Sequence, residues 1–229
     1  MKAVTHRMTP KGGHDKMLQL HGYWRSTASY RVRIALNLKG LAYRQVTHDL
    51  RQNMQASPDY AAKNPQHLVP AIEIEDIVLI QSMAIMEWLD EIYPWSRLLP
   101  PKALDRAIVR AMGNVIACDI HPLNNLRVLK NLRTELQADE AQISAWIARW
   151  IVDGFAAIEP MIAHHGDGFA FGDRPTLADC CLIPQVYSAR RFGVDLDAYP
   201  NILKVEKRVC DYQAFVEAHP DQQPDTDQA

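Results

Sequence analysis

Trp24-Arg25-Ser26-Thr27-Ala28-Ser29 clusters hydroxyl side chains where an apolar run, Met17 to Tyr23, gives way to a helical pattern. The first turn of a helix leaves backbone N–H groups without intrahelical partners and carries the positive end of the helix dipole. A hydroxyl there can cap the helix, the ordinary role of Ser and Thr. It can also donate a hydrogen bond to an anion, and a thiolate is one such anion. A cysteine-type thiol has a pKa of about 8.5, so little of it is ionised at neutral pH. A donor and a positive helix end at Ser26 would both favour the anion. On that reading Ser26 stabilises a charge and does not attack. The chain shows no Ser-His-Asp ordering that would activate a serine.

A second group with chemical potential is Asp119-Ile120-His121-Pro122-Leu123-Asn124-Asn125-Leu126-Arg127. A histidine on a helix is usually a satisfied core residue. His121 has polar neighbours, and an imidazole that titrates near neutrality suits anion binding or proton relay. Arg25, Arg127 and Arg191 carry forks that match carboxylates, although a surface ion pair is the commoner fate of arginine. Asp179 reads differently. Thr176 and Asp179 stand three apart before an apolar run, a capping-box spacing with a structural purpose.

The elements that must position these residues are legible in outline. Met17 to Tyr23 reads as a strand, Ser29 to Leu38 as a helix stopped by Gly40, and Tyr43 to His48 as a second strand. Two prolines, Pro65 and Pro70, precede the alternating run Ala71 to Ile74. Val78 to Ile80 pairs with that run across a Glu75-Asp76 turn, and Gln81-Ser82 opens a helix from Met83 to Tyr93. Pro94 to Pro101 is the linker to a region of helical periodicity. Ala107 to Lys130 and Glu140 to His164 are long enough for substantial helices, with Pro160 kinking or ending the second. Trp146 and Trp150 read as core. The composition therefore gives an α/β domain over 17–97 and an all-helical domain over 105–220. Residues 1–16 read as a disordered extension without the apolar centre of a signal peptide, and 221–229 as a mobile tail.

Composition narrows the function classes. In 229 residues, 25 Lys and Arg nearly balance 27 Asp and Glu, for a net charge of −2. That balance offers no nucleic-acid surface, and no apolar run reaches the length of a membrane span. The 4 cysteines form no CxxC pair and no metal-ligand spacing with histidine, so no metal is expected. Reduced structural thiols in a cytoplasmic protein are the expectation.

The order of these elements, with these residues at the joints, resembles the cytosolic glutathione transferases. Within them it looks like the zeta class, which includes maleylacetoacetate isomerase. The resemblance runs from Met17 to about Asp225. It is carried by Arg25-Ser26-Thr27-Ala28-Ser29 with Arg31-Val32-Arg33-Ile34-Ala35-Leu36, by Asn64-Pro65 leading to Val69-Pro70, and by Gln81-Ser82-Met83-Ala84-Ile85. The Asp119 to Arg127 segment, Phe171-Gly172-Asp173 running to Asp179, Pro184-Gln185-Val186 and Arg191-Phe192 complete it.

The resemblance implies a thioredoxin-like N-terminal domain plus an all-α C-terminal domain, glutathione as cofactor, and a homodimer. Ser26 matches the hydroxyl that assists the glutathione thiolate, and Thr27 keeps a hydroxyl where many members have a second serine. Ala28 stands where many animal and plant members have cysteine, which puts in doubt any chemistry needing that thiol. Val69-Pro70 resembles the family's cis-proline turn, which pairs with the cysteinyl part of glutathione. Gln81 and Ser82 suit its γ-glutamyl carboxylate, and Gln55, His121 and Asn125 fall at further glutathione contacts. His121 matches a position facing the active site, and Arg25, Arg127 and Arg191 would hold a small dicarboxylic keto-acid. The implied reaction is cis–trans isomerisation of maleylacetoacetate by thiolate addition, bond rotation and elimination, within aromatic amino acid catabolism. Maleylpyruvate isomerisation and general conjugation of electrophiles are the alternatives. A non-catalytic binding protein of the same fold would ordinarily have lost the hydroxyl that Ser26 retains.

Overall fold

A computed structural model describes residues 17–227. The extension expected over residues 1–16 lies outside the described residues. The chain divides into two compact units, Met1–Ser96 with Glu217–Ala229, and Arg97–Val216.

The first unit is built on four strands, β1 (Leu18–Gly22), β2 (Tyr43–Thr47), β3 (Ala71–Ile74) and β4 (Ile77–Ile80). They lie in the order β2-β1-β3-β4, with β1 and β2 parallel and the other two pairings antiparallel. Helix α1 (Thr27–Leu38) makes the crossover between the parallel strands, α2 (Pro58–Lys63) precedes β3, and α3 (Ser82–Ile92) follows β4. Leu20, Ile72, Val32, Ile34, Leu36, Ile85, Met86 and Leu89 form the core between sheet and helices. Gly40 ends α1 as its position predicts: at φ 64 it adopts the left-handed conformation open to glycine, and Leu41 N–H then closes on Leu36 C=O at 3.0 Å. Beside it, buried Lys39 pairs with Asp90 at 2.8 Å and fixes the end of α1 against α3.

The second unit is helical: α4 (Ala103–Asn114), α5 (Leu126–Thr134), α6 (Glu140–His165), α7 (Leu177–Arg191) and α8 (Pro200–Val209), with α9 (Gln213–Ala218) leading back to the first unit. Helix α6 buries Ile143, Ile147, Ile151, Phe155, Ile158 and Ile162, a near-continuous i, i+4 stripe. Helix α7 is buried over most of its surface and begins at a complete Thr176–Asp179 capping box. Fully buried Asp179 accepts from Thr176 N–H and Ala170 N–H at 2.7 Å each; burial pushes its carboxyl up to about 6, and those donors pull it back down.

Two expectations are corrected, for the run from Ala107 to Lys130 and for Trp146 and Trp150. The run Ala107 to Lys130 is not one helix. It passes through a π-helical turn (Val115–Ile120) and a 3₁₀ turn (His121–Asn124) before α5 begins. Pro122 cannot donate a helical hydrogen bond, and Asn125 starts the next helix by capping it. Pro160 lies inside α6, which runs on to His165; it and Ala156 lie on the exposed face, where the carbonyl that loses its donor meets water. Trp146 and Trp150 are half-buried beside the core stripe instead of within it. Of the tail expected to be mobile, residues 221–227 are described. Pro220 and Gln223 are buried, and Gln223 Nε2 donates to Glu217 and His219 carbonyls at 2.9 and 2.8 Å.

Candidate active site

Strand register decides which loops meet. Gly22 pairs with Thr47, His21 with Ala71, and Ala71 with Ile80. The exits of β1, β2 and β4 and the entry of β3 therefore share one end of the sheet. That end carries Arg25, Ser26 and Thr27 after β1, Gln55 after β2, Val69-Pro70 before β3, and Gln81-Ser82 after β4.

Ser26 is the N-cap of α1, with extended backbone at φ −69 and ψ 117. Its Oγ accepts the Ser29 N–H at 3.2 Å, and its own N–H donates to Tyr23 C=O at 3.0 Å. A hydroxyl that accepts through a lone pair retains a proton to donate. The two readings of Ser26, cap and anion donor, are thus compatible in one side chain. Thr27 is buried at the first position of α1, and Arg25 lies half-buried with its guanidinium 5.2 Å from the centroid of the Trp24 ring.

The Val69–Pro70 bond is cis, as the family resemblance implies. Asn64, 1% exposed, shapes the approach: its Nδ2 donates to Leu68 C=O at 2.7 Å and its Oδ1 accepts from Gln66 N–H at 3.0 Å. Gln81, just before α3, sits at φ 71, a strained conformation for a residue with a Cβ. Its side chain donates to Gln66 Oε1 at 2.7 Å. Ser82 Oγ accepts from buried Arg31 at 3.3 Å and likewise keeps its proton. Gln55 donates to Asn53 at 2.9 Å, while its Oε1 is buried with no hydrogen-bond partner among the described residues.

In the second unit, His121 opens its 3₁₀ turn, held by Trp146 Nε1 donating to Leu123 C=O at 2.9 Å and Asn124 Nδ2 donating to Ile147 C=O at 3.3 Å. Ile120 fixes the same segment against Gly154, where an added Cβ would lie 2.2 Å from its Cδ1. Asn125 is the N-cap of α5, its Oδ1 accepting from Arg127 N–H at 3.1 Å, so its oxygen already serves the helix. Arg127 is exposed in the first turn of α5. Arg191 is exposed in the last turn of α7, its guanidinium 4.4 Å from the Phe192 ring centroid. The second unit thus groups His121, Asn125 and Arg127 in one turn and helix start, and leaves Arg191 on another helix.

Other groups beside these residues carried no sequence signal. His21 Nδ1 meets His48 Nε2 at 3.0 Å, and His21 Nε2 meets Glu73 at 2.9 Å, with Lys63 on the same carboxylate at 2.6 Å. Burial, helped by the charge of His21, holds His48 down at about 4. Burial also lowers His21, against the raising effect of Glu73. Among the described residues, no cluster of His, Cys, Asp and Glu could hold a metal, and no helix is long and apolar enough to cross a membrane. Among the same residues no disulfide joins the cysteines; Cys180 and Cys181 are buried, Cys118 and Cys210 exposed.

Comparison with known proteins agrees with this architecture. Residues 16–91 match the glutathione S-transferase N-terminal domain, and residues 141–208 the C-terminal domain. The chain is 48% identical over 211 residues to a maleylpyruvate isomerase of Ralstonia sp, covering 91% of this chain and 100% of that one. It is 47% identical over 203 residues to a maleylacetoacetate isomerase of Rhizobium meliloti, covering 88% and 95%. A crystal structure of maleylacetoacetate isomerase from Anaeromyxobacter dehalogenans with glutathione in its active site superposes with a TM-score of 0.84 at 42% identity, covering 92% of this chain and 98% of that one. The chain belongs to the glutathione S-transferase family. Within that family it stands beside proteins named maleylpyruvate isomerase and maleylacetoacetate isomerase.

The residues at the sheet end fit glutathione. The orphaned Gln55 oxygen calls for an N–H donor, the first turn of α3 for a carboxylate, and the hydroxyl at the start of α1 for an anion. A tripeptide thiol with two carboxylates supplies each.

Proposed function

We propose that the chain is a glutathione-dependent cis–trans isomerase of a maleyl keto-diacid, with maleylacetoacetate as its substrate. The observation that carries the reading is Ser26, which caps α1 through its oxygen and keeps its hydroxyl proton at the positive end of that helix. Similarity to the named isomerases of Ralstonia and Rhizobium supports it.

Glutathione, when bound, supplies a thiolate that adds reversibly to a conjugated double bond and so frees it to rotate. The chain's residues make that possible. Ser26 donates to the sulfur anion and, with the helix end, lowers the thiol pKa. Thr27 adds a hydroxyl beside it. Val69 offers backbone groups to the cysteinyl part, Pro70 holds their orientation, and the α3 start with Gln81 and Ser82 takes the γ-glutamyl carboxylate. Gln55 and Asn125 contribute further contacts to the cofactor. His121 binds an anion or relays a proton, and Arg25, Arg127 and Arg191 hold the carboxylates of the acid. With Ala28 in place of a thiol, no second sulfur takes part. On this reading the chain works as a homodimer in the cytoplasm, in aromatic amino acid catabolism.

The test is loss of maleylacetoacetate and of maleylpyruvate, each with and without glutathione. Glutathione-dependent loss is expected for both, with the higher kcat/KM for maleylacetoacetate. The opposite order would reassign the substrate to maleylpyruvate, and glutathione-independent loss would remove the mechanism.

A further inference from the structure

The loop that delivers Ser26 is tied to residues distant in sequence. Trp24 N–H donates to Asp225 Oδ2 at 3.0 Å, and Asp225 Oδ1 accepts from Gln45 Nε2 at 2.7 Å. The carbonyls of the same loop are held by Arg33, which is wholly buried. Its Nη2 donates to Trp24 C=O at 2.9 Å, its Nη1 to Tyr23 C=O at 3.4 Å, and its Nε to Ala218 C=O at 2.9 Å. Gln223, clamped on the Glu217 and His219 carbonyls, folds the segment that carries Asp225. Both faces of the Trp24 residue, donor and acceptor, are therefore fixed by side chains, two residues before Ser26.

We infer that Asp225 is a positioning residue for Ser26, and that the C-terminal segment serves the catalytic loop by presenting it. The inference rests on the role proposed for Ser26. The Ser26 N–H closes a turn on Tyr23 C=O, so the orientation of its hydroxyl follows the Tyr23–Trp24 backbone. Without Asp225 the Trp24 N–H, on a residue only 8% exposed, loses its acceptor and the loop must move to find another. The charge of Asp225 is not what the site needs, because a carboxylate disfavours a neighbouring thiolate. Its geometry is. Arg25 and Arg51, the cations against the Trp24 and Tyr23 rings, favour the thiolate; Arg51 is itself paired with Asp49 and Asp227.

Geometry and charge separate by substitution. Asp225→Asn keeps an oxygen for Trp24 N–H and turns an amide toward Gln45, whose buried Oε1 has no hydrogen-bond partner among the described residues and can accept it after the amide rotates. Asp225→Ala removes both. In the full chain without glutathione, Asp225→Ala is expected to speed amide exchange over residues 23–26 by about tenfold, as loss of a buried N–H acceptor implies. The thiol pKa of bound glutathione, read by thiolate absorbance, should rise, and kcat/KM for the maleyl acid at pH 7 should fall by about tenfold. Asp225→Asn should match the unmodified chain in exchange and leave the thiol pKa unchanged or lower. A chain ending after Gln223 should behave as Asp225→Ala does. Equal effects of the Asn and Ala variants would overturn the inference. So would a loosened loop with an unchanged thiol pKa, or no change at all in Asp225→Ala. Ser26→Ala, run beside them, separates the two ideas: a raised thiol pKa there with none in Asp225→Ala rejects only the positioning role, and no rise in Ser26→Ala removes both.

Discussion

Ser26 Oγ accepts the N–H of Ser29 at 3.2 Å, so one hydroxyl both starts α1 and retains a proton to donate to a second partner. A thiolate held there would meet a donor and a helix end together, while the helix would lose its cap if the residue were truncated.

Ser26→Ala should therefore have two effects. Turnover falls by more than about tenfold, since about 1.4 kcal/mol of thiolate stabilisation corresponds to that factor. Folding stability falls by about 1 kcal/mol through loss of the cap. Ser26→Asp separates them, because aspartate caps well but cannot donate to an anion. Its unfolding midpoint should stay near that of the unmodified chain while turnover collapses. Thr27→Ala should have the smaller kinetic effect. Steady-state rates with a urea titration of each variant provide the check.

Arg127 and Arg191 are exposed and belong, in this account, to the acid. Replacing either with alanine should raise the KM for the maleyl acid several-fold, consistent with about 1 kcal/mol for a partly exposed charged pair. Glutathione affinity, measured by calorimetry, should change little. Loss of glutathione binding with an intact acid KM would assign these arginines to the cofactor.

His48 gives the fold a pH dependence of definite sign. Its pKa is held at about 4, below its ordinary 6.5, mainly by burial. The unfolded chain therefore binds the proton more readily between those values, and stability declines as pH falls from 6.5 toward 4. Glu73, lowered by Lys63 and His21, acts in the same direction as pH falls below its ordinary 4.5. The urea midpoint should drop between pH 7 and pH 5, and His48→Asn should flatten that drop. Parallel curves for the two proteins would show that His48 is not its source.

Gly154 and Ile120 set the approach of the His121 turn to α6. A methyl group at 154 would sit 2.2 Å from Ile120 Cδ1. Gly154→Ala should cost about 1–3 kcal/mol of stability by overpacking, and Ile120→Ala in the same chain should return part of it. Thermal unfolding of the single and double variants measures the coupling.

Local patterns gave up the most from sequence. Ser26 at a strand-to-helix junction, Gly40 as a stop and the Thr176–Asp179 box each depend on neighbours a few residues away, and each is found in its expected element, whereas the cis Val69-Pro70 bond was implied only by the family resemblance. What was illegible depends on partners far along the chain. Asp225 meets Trp24 across 201 positions, and nothing in a Gln-, Asp- and Pro-rich tail distinguishes an acceptor for a buried N–H from a solvated carboxylate. Trp146 looked like core because helical spacing reports a face but not depth; its indole instead holds the Leu123 carbonyl. The π and 3₁₀ turns from Val115 to Asn124 interrupt an apolar rhythm that continues through them, so periodicity alone gave one helix. The polar stretch after β2 hid α2, whose six residues are too short for a periodic signal.

Return of glutathione at every turnover is what separates isomerisation from conjugation, and product analysis at substoichiometric glutathione reads it. Ser26 is suited to both halves of the cycle, steadying the sulfur anion before it adds and again as it leaves. With maleylacetoacetate in large excess, the account predicts many molecules of fumaryl product per glutathione, with the free thiol recovered and no stable conjugate accumulating. One conjugate formed per glutathione, with the reaction stopping there, would contradict isomerisation and leave a conjugating transferase in its place.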